Sequence, residues 1–258
     1  MINLVRSEFY RLFNRVYLFV FWGVLIAIAL FTASLMDMPL NYVLSTSIFA
    51  IIIPVFLWPF IIEVVSGEEF KDGTFINSIS YGVSKTSYYV SKIIVSAVIA
   101  ILTVLLTVLA FMGGAMVFGR YSGMISDPTA ANFFLAVISA MPLYIAAMIA
   151  GTFMVFVIKK NSLAILAYFF IFLCVNPVLS ILKLLGLKVG NIVYFLITNQ
   201  LIILMGKIRF INIDTPNLKL NTIGGSIATR EQMLTAAVIG FVYIAALLLI
   251  SIPIVKKR

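Results

Sequence analysis

The chain is divided into long uncharged stretches, and their length limits what it can fold into. Val16–Leu35 carries no Asp, Glu, Lys or Arg, and neither do Ile93–Phe118, Asn132–Ile158, Ser162–Leu182 and Met233–Val255. Val43–Val65 contains a single ionisable residue, Glu63. An α-helix crosses the hydrocarbon core of a bilayer in about 20 residues, so each run has the reach of a span. Of the 258 residues, 63% are hydrophobic and 10% charged, with a mean hydropathy of +1.18; ordinary soluble domains run at about 45–50% and 25%. A chain so poor in charge cannot cover its own surface in water, which excludes a soluble enzyme or soluble binding module. The expected fold is an all-α integral membrane protein, a single domain over 1–258. Its six transmembrane helices are expected at about 16–35, 43–65, 93–118, 132–158, 162–182 and 233–255.

With no histidine in the sequence, imidazole acid–base catalysis and His-ligated metals are excluded. The single cysteine, Cys174, cannot close an intrachain disulfide. No catalytic residue, metal site or cofactor is expected. A membrane-embedded enzyme is disfavoured by the missing histidine and the lack of paired intramembrane carboxylates. The net charge of +9 is carried by scattered Lys and Arg beside the apolar runs, a placement suited to anionic lipid headgroups and not to nucleic acid.

Residues 1–15 read as an amphipathic opening. Arg6, Glu8, Arg11 and Arg15 interleave with apolar residues, and Val5, Phe9, Leu12 and Phe13 share one helical face. Such a helix lies in the membrane interface. Val16–Leu35 is longer than the roughly 7–15 residue core of a secretory signal and is read as a retained first span. Pro54 and Pro59 are expected to kink the second span, and Gly113-Gly114 to interrupt the third. The segment 191–206, apolar over only about 16 residues, reads as an outer re-entrant or interfacial segment, and Asn212–Arg230 as an exposed loop. Six spans put Arg6, Arg11, Arg15, Lys71, Lys85, Lys92, Lys159, Lys160 and the Lys256-Lys257-Arg258 end on one side; the two short loops opposite hold only Arg120. The positive-inside rule then makes both termini cytoplasmic.

The most polar stretch, 66–92, separates the second and third spans. It runs Glu68-Glu69-Phe70-Lys71-Asp72-Gly73-Thr74-Phe75, then Ile76-Asn77-Ser78-Ile79-Ser80-Tyr81-Gly82-Val83-Ser84-Lys85, and reaches Tyr88-Tyr89-Val90-Ser91-Lys92. Thr74–Tyr81 is predicted to form two helical turns, with Gly82 just past the C-cap. The acidic residues precede the positive end of that helix and Lys85 follows its negative end. The plain alternative is a solvated turn. The loop is too short for a catalytic domain, and Lys85-Thr86 lacks the spacing of a phosphate-binding loop. Any ATP hydrolysis must therefore come from another chain.

This loop resembles that of the type-two permeases of ABC exporters. The likeness rests on the Glu-rich start, Gly73-Thr74, the hydrophobic helix, Gly82-x-Ser84-Lys85, the Tyr88-Tyr89 pair and Ser91-Lys92. The segment Glu8-Phe9-Tyr10-Arg11-Leu12-Phe13 is similar to the family's elbow helix. Within that family it resembles the small bacterial permeases of bacitracin resistance, lantibiotic immunity and amphipathic-peptide export. The resemblance implies a cytoplasmic coupling helix that docks on a separate ABC ATPase subunit. Its coupling residues would be Glu68, Glu69, Gly73, Thr74, Phe75, Ile76, Ile79, Tyr81, Gly82, Ser84 and Lys85. It further implies a second copy or a similar permease as partner, the bacterial cell membrane as location, and a hydrophobic or amphipathic, antimicrobial-type peptide as cargo. A lipid, drug or ion is the alternative cargo. Glu63 is a candidate intramembrane acid or, more simply, an interfacial carboxylate near the loop. A secondary transporter or channel working without an ATPase is the competing function.

Overall fold

The computed structural model describes residues 2–34, 49–67, 69, 74–118, 128–158, 160–187, 190–204, 212–214, 219–221 and 228–257. Its elements are α1 (Ile2–Phe13), α2 (Val16–Ser34), α3 (Phe49–Ile62, continued by a π-helical turn at Glu63–Gly67), α4 (Thr74–Ser80), α5 (Lys85–Phe118) and α6 (Pro128–Ile158). There follow α7 (Asn161–Phe169), a π-helical turn (Phe170–Cys174), α8 (Val175–Leu184), α9 (Gly190–Phe195), α10 (Ile197–Leu204) and α11 (Arg230–Lys257).

Among the described residues four helical segments are long and apolar enough to cross a membrane: Lys85–Phe118, Ala131–Ile158, Asn161–Lys183 and Arg230–Lys257. The pair α1–α2, bent by 64°, meets the same test when taken together, and Pro54–Gly67 is a shorter apolar helix. The all-α membrane architecture is therefore present, with helix at each of the six expected positions. The start of the second span (43–48), the loop 36–42 and the outer loop with Arg120 lie outside the described residues.

Two expectations are corrected by the structure, and two further segments gain detail. α5 starts at Lys85, so the last two turns of the expected loop 66–92 are helix, and Tyr88, Tyr89, Ser91 and Lys92 are buried. Ser84 makes this possible: its hydroxyl accepts the Ser87 N–H at 3.1 Å, an N-cap. Gly113-Gly114 does not break α5, which runs through both, and a Cβ at Gly113 would meet nothing. The glycines cost helix propensity, but the apolar residues on either side hold the helix by packing. The segment 191–206 is two short helices, α9 and α10, neither long enough to span; α10 buries Ile197, Thr198, Gln200, Leu201 and Leu204. Within the expected loop 212–230, Asn212–Asp214 (β1) pairs antiparallel with Lys219–Asn221 (β2). A capping box, Thr229 with Gln232, starts α11.

The core lies along α6, which packs most extensively on α11 and also against α5, α7 and α3. Close approach depends on particular small residues. At Gly240 a Cβ would stand 2.6 Å from Pro142 Cβ and 2.8 Å from the Leu143 backbone nitrogen, so α11 meets α6 almost backbone to backbone. At Gly151 a Cβ would collide with Ile62 Cδ1, which ties α6 to α3. Pro59 removes the N–H that would have bonded the Val55 carbonyl one turn back. The Tyr168 hydroxyl of α7 donates to that carbonyl at 2.9 Å instead. The bond that Pro59 forgoes is thus supplied by a neighbouring helix, the usual condition for proline inside a span.

Gly240→Ala is expected to lower the melting temperature in detergent far more than Gly113→Ala, because at 240 the obstacle is backbone and at 113 there is open space. Tyr168→Phe should cost about 1–2 kcal/mol by leaving the Val55 carbonyl bare. A Tyr168→Phe chain with unchanged stability would mean that another donor reaches that oxygen.

Candidate functional site

The end of α3 poses a local problem. The final carbonyls of a helix lack intrahelical donors, and Val65 is fully buried. Two cations from other elements meet its oxygen: Lys92 Nζ of α5 at 3.1 Å and Arg11 Nη2 of α1 at 3.0 Å. Positive charge is also what the negative end of a helix favours. Two carboxylates then balance the two cations. Glu8 Oε2 of α1 lies 2.6 Å from Lys92 Nζ and 2.9 Å from Arg11 Nη2. Glu69 Oε1 lies 2.6 Å from Lys92 Nζ and pairs with Arg11 Nη1.

The result is a closed quartet of Glu8, Arg11, Glu69 and Lys92, with Lys92 at 0% exposure. The Lys92 ammonium also stands 5.1 Å from the Tyr88 ring centroid, within cation–π range. Burial pushes the Glu69 carboxyl above its ordinary 4.5 and Glu8 adds to the push, while Lys92 and Arg11 pull it down. The stabilisation linked to its neutral form is therefore present below 4.5 and lost as pH rises through the raised value.

The quartet joins three parts of the chain: the amino-terminal helix, the end of α3 with the start of the polar loop, and the base of α5. Sequence reasoning missed it as a unit. Glu8 was placed on the polar side of an amphipathic helix, yet it faces inward beside Leu12, while Phe13, assigned to the apolar face, is 42% exposed. Glu69, which the resemblance puts among the coupling residues, is 7% exposed and turned into the quartet. The missed signal was charge balance, two acids and two bases bordering apolar runs at distant positions in the sequence.

The helix predicted over Thr74–Tyr81 is found as α4, one residue shorter. It closes with Gly82 at φ 90°. The Val83 N–H bonds the Ser78 carbonyl at 3.3 Å and the Gly82 N–H bonds the Ile79 carbonyl at 3.0 Å, a Schellman closure. Ile76 is 69% and Tyr81 88% exposed, while Ile79 is half-buried. α4 has no extended packing against another described helix. Of the other predicted residues, Ser84 and Lys85 open α5, and Glu68 and Gly73 lie outside the described residues, as do the side chains of Thr74 and Phe75.

Glu63 is half-buried at the first position of the π-helical turn and borders a groove between α2 and α3. Among the described residues no cluster of His, Cys, Asp and Glu suits a metal ion. No protein-family profile and no curated protein sequence matches the chain.

Lys92→Met strips both carboxylates of a buried partner and is expected to destabilise by about 3–5 kcal/mol. Combining it with Glu8→Gln should cost less than the sum of the two single changes, by about 0.5–3 kcal/mol. Thermal melting of the four proteins in detergent measures this, and strict additivity would show that the two residues do not interact.

Proposed function

We propose that the chain is the membrane-spanning permease subunit of an ATP-driven ABC exporter, with six spans and both termini cytoplasmic. The observation that carries this reading is α4, a helix too short to stabilise itself that is kept on the surface and held at both ends. Upstream, Glu69 anchors in the quartet; downstream, the turn Gly82–Ser84 leads directly into α5. Ile76 on α4 and Tyr81 at its C-terminal turn are exposed and offer two apolar side chains to a partner. A force applied to α4 by an ATPase would reach α5 through the chain itself, and α1 and α3 through the quartet.

In this reading α1 is the interfacial elbow, α9–α10 the outer re-entrant segment, and the location the bacterial cell membrane. A second copy or a similar permease completes the pathway, and the cargo is a hydrophobic or amphipathic peptide. The chemistry of ATP hydrolysis belongs to the partner. This chain's own contribution is to receive the movement and alter helix packing.

Affinity isolation in mild detergent from native membranes is expected to retain an ATPase bearing the G-x-x-x-x-G-K-[ST] loop at equal stoichiometry. Ile76→Asp combined with Tyr81→Ala should release it without changing the melting temperature of the permease. Gly73→Pro should keep the complex intact but separate ATP hydrolysis from transport. Recovery of no such ATPase, under conditions that preserve comparable complexes, would overturn the reading in favour of a transporter that works alone.

A further inference from the structure

Where α2 begins and α3 ends, the two helices leave an open groove of about 390 Å³. Ile61 forms part of its floor at 1% exposure, while Tyr17 and Phe60 stand on its walls at 70% and 53%. Phe21 of α2 and Phe60 of α3 touch at its side, ring centroids 6.2 Å apart, and form a continuous apolar wall. Among the described lining residues Tyr17 and Glu63 supply the only polar side-chain groups, both at the end nearer the quartet. The groove is thus apolar along its length, with one carboxylate at one end.

That carboxylate differs from its neighbours. Glu8 and Glu69, at the same end of the helices, are matched by Arg11 and Lys92. Glu63 has no ion-pair or hydrogen-bond partner among the described residues. A carboxylate beside apolar walls, with no counter-ion among the described residues, attracts a cation, and the attraction grows as water is displaced. The apolar walls require that this cation carry a hydrocarbon chain. Uncharged amphiphiles would lack the ionic contact, and anionic ones would be repelled. A two-chain phospholipid brings a phosphate toward Glu63 and is disfavoured for the same reason.

We propose that this groove binds a single-chain amphiphile with a protonated-amine or quaternary-ammonium head, the head against Glu63 and the chain along Phe21 and Phe60. The site belongs to this chain whether or not an ATPase binds to α4. The π-helical turn helps to form it, since the wider turn starts at Glu63 itself, and such turns recur at functional sites.

The test uses the full chain in phosphatidylcholine nanodiscs and its two tryptophans, Trp22 beside Phe21 and Trp58 two residues before Phe60. Chain-brominated dodecylammonium should quench their fluorescence saturably, about tenfold or more tightly than brominated dodecanol, and brominated dodecyl sulfate should bind worst. Glu63→Gln should erase the preference for ammonium over alcohol, Glu63→Asp should retain it, and Phe60→Ala should weaken both ligands alike. Equal affinity for ammonium and alcohol in the unaltered chain, or a preference that survives Glu63→Gln, overturns the proposal. Displacement of the amine by phosphatidylethanolamine in the bilayer would assign the groove to a membrane lipid. Disulfide formation between two Tyr17→Cys chains, with no saturable quenching, would assign it to a second copy. Either result rejects a single-chain occupant.

Discussion

The Val65 carbonyl ends a helix in a buried place, and two cations from elsewhere in the chain converge on it. Much of this side of the protein follows from that contact. Bringing Lys92 and Arg11 out of water requires counter-charges, and Glu8 and Glu69 supply them within hydrogen-bond distance. The four residues come from three segments, so satisfying one helix end fixes where α1, the polar loop and the base of α5 must meet. Such a cluster gains little net stability over a well-packed apolar core, since desolvation offsets most of the attraction. Its effect is positional: removing a member leaves a buried charge, and that penalty holds the junction in one arrangement.

The same principle operates in apolar surroundings at Pro59. There the unsatisfied group is a neutral carbonyl, and one tyrosine hydroxyl suffices. Trp22 and Thr103 make a comparable link between α2 and α5 at 2.9 Å. Where helices need to come closest, at Gly240 and Gly151, it is a missing side chain that allows the contact. Polar repair at broken helix ends and small residues at close crossings divide the packing between them, as expected where apolar burial alone cannot distinguish a helix from lipid.

Runs without charge identified the helices, because bilayer length is a one-dimensional property that a sequence displays directly. The glycine-closed helix 74–80 was legible for a similar reason: Gly82 and Ser84 act locally, on neighbours in the chain. The quartet was not, since Glu8 and Lys92 are distant in sequence and nothing local signals that they meet. Amphipathic spacing even misdirected the reading, as it sorts residues by polarity and a buried ion pair inverts that sorting. Gly113-Gly114 misled in the other direction: intrinsic propensity favours a break, and the surrounding packing overrides it.

The length of α5 has a consequence for the membrane around it. Its 34 residues extend about 51 Å at 1.5 Å per residue, against a hydrocarbon core of about 30 Å. The surplus must either project beyond the acyl chains or be absorbed by tilt. With Lys92 held in the quartet two turns from the amino-terminal end, that end is tied to α1 and α3, and the adjustment falls on the rest of the helix. Bilayer thickness thereby becomes a variable that acts on this protein: a thinner membrane tilts α5 more, and its tilt is delivered to the charged junction at its base.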